Sequence, residues 1–126
     1  MITAVHHIAL IISSESCLEF YKLLGFQESF RKKRSYDTVV LMYGHGMQLE
    51  IFIDPRHPNR LLMEGPELTG LRHFALHVDG KLEDEVERLK GATTEILEFG
   101  PIMTDWRGVR FLFVKDPDGL LVELHE

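Results

Sequence analysis

Gly70-Leu71-Arg72-His73-Phe74-Ala75-Leu76-His77-Val78-Asp79 decides how the chain is read, because it has a near copy at the N-terminus. In Val5-His6-His7-Ile8-Ala9-Leu10-Ile11-Ile12, the run His7-Ile8-Ala9-Leu10 lies over His73-Phe74-Ala75-Leu76 at an offset of 73 − 7 = 66. A strand alternates its faces with period two, so His73, Ala75, His77 and Asp79 share one face while Phe74, Leu76 and Val78 share the core face. The same parity sets His7, Ala9 and Ile11 against His6, Ile8, Leu10 and Ile12, and it points His6 away from His7. Each half of the chain therefore opens a strand with a histidine, a polar group that needs a partner.

Working outward, the elements repeat as well. After the first strand, Ser13 or Ser14 can cap a helix whose apolar residues Cys17, Phe20, Tyr21 and Leu24 recur at helical spacing, with Gly25 as its stop. Phe26 to Lys32, Thr38 to Tyr43 and Met47 to Ile53 read as strands, the last two joined at Gly44-His45-Gly46. From Leu71 the order begins again: a strand, a helix with Leu82, Val86 and Leu89 closed by Gly91, then strands over Thr94 to Phe99, Val109 to Lys115 and Leu120 to His125. Asp116-Pro117-Asp118-Gly119 is turn chemistry between the last two. The expected class is α+β, with tandem βαβββ modules over about 1–54 and 70–126 and an irregular connection over about 55–69. The whole of 1–126 reads as one domain.

Length and composition agree with a globular chain. A domain of 126 residues buries roughly two-thirds of its unfolded surface. With 44% hydrophobic and 27% charged residues there is no low-complexity or linker-like tract. The run Ile8 to Ile12 is far short of a membrane span and the N-terminus lacks a basic secretory start, so a cytoplasmic protein is expected, without a membrane partner. Cys17 is the only cysteine, which rules out an internal disulfide and leaves buried filler as its reading. A formal charge of −6 argues against gripping a nucleic-acid backbone. The one basic run, Arg31-Lys32-Lys33-Arg34, is read either as a solvated strand edge or as a local clamp for an anionic substrate tail.

The late strands carry a second repeated polar group, in Gln48-Leu49-Glu50-Ile51-Phe52 and Leu121-Val122-Glu123-Leu124-His125. A glutamate that interrupts an apolar strand needs a cation, a strong donor or a proton. His7, Glu50, His73 and Glu123 thus stand as one histidine and one glutamate per module, each on the same ordinal strand. If the modules face each other with pseudo-twofold symmetry, two imidazoles and two carboxylates suit one divalent ion of nickel, cobalt, zinc, manganese or iron type. Two coordination positions then stay open for water or substrate oxygens.

On these residues the whole chain resembles the vicinal oxygen chelate superfamily and, within it, glyoxalase-I-like proteins. The match rests on His7-Ile8-Ala9-Leu10, Phe20-Tyr21-x-x-Leu24-Gly25-Phe26, Leu49-Glu50, Arg72-His73-x-Ala75, and Asp116-Pro117-Asp118-Gly119 followed by Val122-Glu123. The resemblance implies cupped mixed sheets and one divalent metal per site, with nickel, cobalt or zinc foremost, bound by His7, Glu50, His73 and Glu123. It also implies a homodimer that builds each site from two chains, as short members do. The implied activity is that of a lactoylglutathione lyase: a small substrate with adjacent oxygens, such as the hemithioacetal of methylglyoxal and a thiol, is isomerised through a metal-stabilised enediolate. Glu123 is the implied catalytic base, with Glu50 as its symmetric counterpart.

Other readings of the same fold are a ligand-sequestering antibiotic-resistance protein, an acyl-thioester epimerase and a thiol transferase that opens an epoxide. Ile11 stands where bacterial glyoxalase I carries an arginine for glutathione, and Asp54 where an asparagine is usual; the second change adds a charge expected to repel a glutathione carboxylate. For substrate contacts, His77 shares the His73 face, Phe111 and Phe113 form an apolar wall or aromatic core, and Arg72 and Arg110 meet an anionic group or a glutamate. Spacing alone assigns no role to His45, His57 or His125.

Overall fold

The computed structural model describes residues 1–58, 60 and 69–126. Residue contacts divide the chain into two units, 1–59 and 60–126. Most of the connection read over 55–69, namely 59 and 61–68, lies outside the described residues.

Unit 1 runs β1 (Ile8–Ile12), α1 (Glu15–Leu23), β2 (Gln27–Lys33), β3 (Thr38–Gly44) and β4 (Met47–Ile53), the order the alternation predicts. Its sheet is ordered β1-β4-β3-β2, with β1 parallel to β4 and the other pairs antiparallel. One face buries Leu10, Ile12, Val40, Met42, Leu49 and Ile51, together with Cys17, Leu18, Phe20 and Tyr21 of α1. Arg31 is in register with Val40 on that face and pairs with Glu15 at the start of α1, which sets the helix against it. Truncating one such leucine to alanine costs ~2–5 kcal/mol, so the alternation is strongly enforced.

The end of α1 shows how closely the sheet approaches it. Gly25 has φ of +100°, and a Cβ built there would stand 2.8 Å from Nε2 of His45. That same nitrogen donates to the Leu24 carbonyl at 2.7 Å, satisfying an acceptor that the helix leaves open. His45 (φ +54°) and Gly46 (φ +72°) form the two-residue turn between β3 and β4, in which both positions need positive φ. His45 therefore closes a hairpin and caps a helix.

Unit 2 runs β5 (His73–His77), α2 (Leu82–Gly91), β6 (Glu98–Phe99), β7 (Met103–Thr104), β8 (Arg110–Lys115) and β9 (Leu121–His125). Its sheet is ordered β5-β9-β8-β6, β5 lies parallel to β9, and β7 pairs with β8. The order matches unit 1 with one difference. The strand read over Thr94 to Phe99 is reduced to Glu98–Phe99, and a second short piece follows at Met103–Thr104. The Glu95 amide is taken by Thr93 Oγ1 in a local turn, and Pro101, which has no N–H, interrupts the ladder just after Gly100 bonds to the Phe113 carbonyl.

The core of unit 2 gathers Phe74, Leu82, Leu89, Leu112, Val114, Val122 and Leu124. Arg110 meets glutamates rather than an anionic ligand: Glu83 of α2 and Glu126 at the C-terminus. Glu126 also accepts the Leu82 amide at 3.1 Å, standing in for the cap that Lys81 does not supply. Between β8 and β9, Asp116 Oδ1 accepts the amides of Asp118 and Leu120, and Gly119 takes positive φ.

Candidate metal centre

In unit 1, Glu50 lies on β4 between Ala9 of β1 and Leu41 of β3, on the face turned away from α1. His7 immediately precedes β1, and its Nε2 stands 3.1 Å from Glu50 Oε2. In unit 2, Glu123 lies on β9 between Ala75 of β5 and Phe113 of β8, and His73 Nε2 stands 2.8 Å from Glu123 Oε2. The histidine comes two residues before the alanine that faces the glutamate in both units. The repeat seen in sequence is thus a repeat of register.

The chemistry of the donors fits a divalent ion. Two ligand atoms each about 2.1 Å from one ion at right angles are about 3.0 Å apart, close to both observed separations. Each pair offers one imidazole nitrogen and one carboxylate oxygen to such a sphere. Nδ1 of His73 is buried without a hydrogen-bond partner, so Nε2 is its only engaged nitrogen. Among the described residues no group of three or more His, Cys, Asp or Glu side chains gathers that could hold an ion by itself. Each unit brings together one histidine and one glutamate.

The two pairs have different surroundings. Phe113 presents its ring to His73 at 4.9 Å between centroids, Phe111 packs on Phe113 at 5.7 Å, and Phe111 stacks on His125 at 6.3 Å. These half-buried rings lie on the strand face that carries Glu123. His125 stands two residues beyond Glu123, with Nε2 4.0 Å from Glu123 Oε1 and 3.2 Å from Asp105 Oδ2. Burial pushes the Asp105 carboxyl up, but the Val109 and Arg107 amides, the Arg107 guanidinium and His125 outweigh it and hold it well below the carboxylate range. His77 is exposed on the His73 face opposite His125, and Arg72 is exposed just before β5.

The model of the Glyoxalase/Bleomycin resistance protein/Dioxygenase superfamily matches residues 4–124. The chain belongs to that superfamily. It is 40% identical to the uncharacterized protein YwkD of Bacillus subtilis, over 100% of this chain and 98% of that one. The crystal structure of a glyoxalase family protein from Enterococcus faecalis aligns with a TM-score of 0.85 at 31% identity, covering 98% of this chain and 97% of the other. The fold is shared with lactoylglutathione lyase from Agrobacterium tumefaciens (TM-score 0.69, 20% identity, 100% and 95% covered). It is shared also with a mutant of the fosfomycin resistance protein FosX from Listeria monocytogenes (TM-score 0.72, 20% identity, 99% and 90% covered). That mutant is complexed with manganese(II) and 1S,2S-dihydroxypropylphosphonic acid. The α+β class with mixed, cupped sheets is that of this superfamily, whose members include metal-binding proteins and enzymes.

Within the superfamily fold, several residues of this chain depart from the roles their spacing predicts. His6 does not point away: its Nδ1 lies 2.9 Å from Nδ1 of His7, because residues 1–7 precede β1 and strand parity does not govern them. Asp54 is not a bare repelling charge. It is buried and accepts the Arg56 amide and guanidinium at 2.7–3.0 Å, with His57 at 3.2 Å. The Arg56 guanidinium, then its amide, hold the Asp54 carboxyl far below its ordinary range against the opposing effect of burial. Asp105 was missed, although Asp105-Trp106-Arg107-Gly108 is turn chemistry. Among the described residues no helix is long and apolar enough to cross a membrane.

Proposed function

We propose that the protein is a metal-dependent lyase or isomerase of glyoxalase I type, acting on a small substrate with two adjacent oxygens. The observation that carries this reading is the recurrence of one histidine-glutamate pair in one register in both units. His7, Glu50, His73 and Glu123 would hold one divalent ion, nickel, cobalt or zinc, with the two half-sites brought together within a chain or across a homodimer. When bound, the ion supplies Lewis-acid polarisation of the substrate oxygens. Glu123 would take the proton from the carbon that bears the thiol and return it to the neighbouring carbon, while the hydroxyl proton passes from the first oxygen to the second, so that a hemithioacetal becomes a hydroxyacyl thioester. Phe111 and Phe113 would give the substrate an apolar wall beside His73. His77 and Arg72 are the remaining candidates for substrate contact.

Elemental analysis tests the ligand set. Wild-type protein should hold metal stoichiometrically, and His7→Ala, Glu50→Ala, His73→Ala or Glu123→Ala should each weaken it by at least about 100-fold. Turnover of the methylglyoxal-thiol hemithioacetal with nickel, cobalt or zinc supplied should fall in parallel. Protein that binds no metal would sink the reading and favour a ligand-sequestering protein of this fold.

One observation favours a second enzymatic reading. Ile11, more than half exposed on the Glu50 face, stands where the arginine expected for glutathione would be on β1. A thiol transferase or an acyl-thioester epimerase would use the same four ligands with other substrates. Stoichiometric metal without hemithioacetal turnover, together with consumption of an epoxide and a thiol, would select the transferase.

A further inference from the structure

The four basic residues at the end of β2 are sorted by the fold. Arg31 faces α1 and is engaged by Glu15 and Glu28. Phe30 and Lys32, in register with Leu41 and Val39, lie on the opposite face, the one that carries Glu50, and Arg34, just past β2, reaches the same side, where its guanidinium meets Phe52. On that side Arg34 is held in place. Its Nε and Nη2 donate to the two oxygens of Asp37 at 2.6 Å each, and its guanidinium carbon lies 4.7 Å from the Tyr36 ring centroid and 5.5 Å from that of Phe52. A fork on one edge and two rings leave the group little freedom, so little ordering entropy is lost when it binds. Nη1 hydrogen-bonds to no described residue, and the side chain is one-third exposed.

The position of this group bears on the site. Phe52 stands two residues beyond Glu50 on one strand face, a step of about 7 Å. The Asp37 hydrogen bond, opposed by desolvation, raises the Arg34 pKa, and Glu50 is among the charges that add to the rise. Arg56, clamped by Asp54 in the same manner, lies 5.2 Å from the same Tyr36 ring and adds a second fixed guanidinium. Ile11, Phe30, Val39 and Leu41 share this face, together with Lys32 and Gln48. We propose that Arg34 receives an anionic group of the substrate, a carboxylate or phosphate-type end about one strand step from the oxygens held at the His7–Glu50 pair. This assignment rests on the metal reading of that pair.

Hydroxamates test it, because they chelate a divalent ion through two adjacent oxygens and can be made with or without a charged tail. Cobalt(II)-loaded protein is titrated with acetohydroxamate and with the monohydroxamate of succinic acid, and the visible cobalt bands give Kd for each. Wild type should bind the carboxylate-tailed compound about tenfold more tightly, as one charge-assisted hydrogen bond at an exposed guanidinium provides. Arg34→Gln should remove that preference and leave acetohydroxamate within about twofold, while Arg31→Gln should keep it. Should Arg34→Gln loosen the β2–β3 hairpin, Arg34→Lys retains the charge without the fork, and most of the preference should still be lost. Equal affinities in wild type, or a preference that survives Arg34→Gln, overturns the assignment alone. A cobalt spectrum that answers neither hydroxamate overturns the metal reading as well.

Discussion

The two units place a histidine and a glutamate in one backbone register and then surround them differently. In unit 2, His73 is the first residue of β5, the side chains of His73 and Glu123 are 20% and 14% exposed, and Phe113, His125 and Asp105 stand around them. In unit 1, His7 lies outside β1, His7 and Glu50 are 37% and 27% exposed, and Phe52 occupies the place of His125. Strand pairing admits only whole-residue shifts, and a single shift would move the glutamate to the core face, so register is held while the neighbours are free to change. The repeat has kept the register of the pair and varied what stands around it.

The largest expected effect comes from breaking this asymmetry at the glutamates themselves. Substituting glutamine leaves an oxygen donor in place but removes the base. Under the proposed reaction, Glu123→Gln should lower kcat by ~10²- to 10⁴-fold, the usual contribution of a positioned base, while Glu50→Gln lowers it much less. Single-turnover rates at matched metal content measure this. Equal losses would mean that the more enclosed environment of unit 2 does not select the base, and a larger loss at Glu50 would move that role to the open half-site.

A smaller effect sharpens the comparison of the helix ends. Gly25 after α1 and Gly80 before α2 both take positive φ, but an added Cβ meets His45 only at Gly25; at Gly80 nothing lies within 4 Å. Gly80→Ala should therefore show backbone strain alone, ~1 kcal/mol. Gly25→Ala should cost up to about 3 kcal/mol, because the strained backbone and the displaced cap of Leu24 act together. Urea unfolding of the two variants gives the difference, and equal costs would mean that the imidazole yields without losing its hydrogen bond.

Both the register and the histidine–glutamate pairs were readable in the sequence, because period-two alternation is a local property and His7-Ile8-Ala9-Leu10 repeats it at His73. The helices were readable for the same reason, since Cys17, Phe20 and Tyr21, like Leu82 and Leu89, mark one buried stripe. What escaped depends on partners far along the chain or on backbone outside any strand. Asp105 and His125 meet across 20 residues through a pairing that no local pattern encodes. His6 turns onto His7 because β1 begins only at Ile8. The answer to the Asp54 charge lay two residues away at Arg56, in an Asx-type turn recognisable from Asp54-Pro55-Arg56 once the carboxylate is known to be buried.

The smallest effect concerns how each sheet holds its helix. Arg31 of β2 grips Glu15 at the start of α1, and Arg110 of β8 grips Glu83 in the first turn of α2, so one arginine per unit ties a helix N-terminus to the sheet. The Arg110 guanidinium, helped by a backbone amide and opposed by desolvation, lowers the Glu83 carboxyl from 4.5 to about 2; Arg110 and the Leu82 amide lower Glu126 as well. A carboxylate whose folded pKa is depressed binds fewer protons in the folded state, so its contribution is fully present above pH about 4.5 and is lost as the pH falls toward about 2. Arg110→Gln should therefore lower Tm at pH 7, and the deficit should close through that window until the two proteins unfold together near its lower end. Arg31→Gln should show the same sign, because Arg31 lowers Glu28. Glu83 is more than half exposed, so salt should shrink the deficit too. A deficit that ignores both acid and salt would mean that Arg110 holds α2 by packing its aliphatic stem, with its charge contributing nothing measurable.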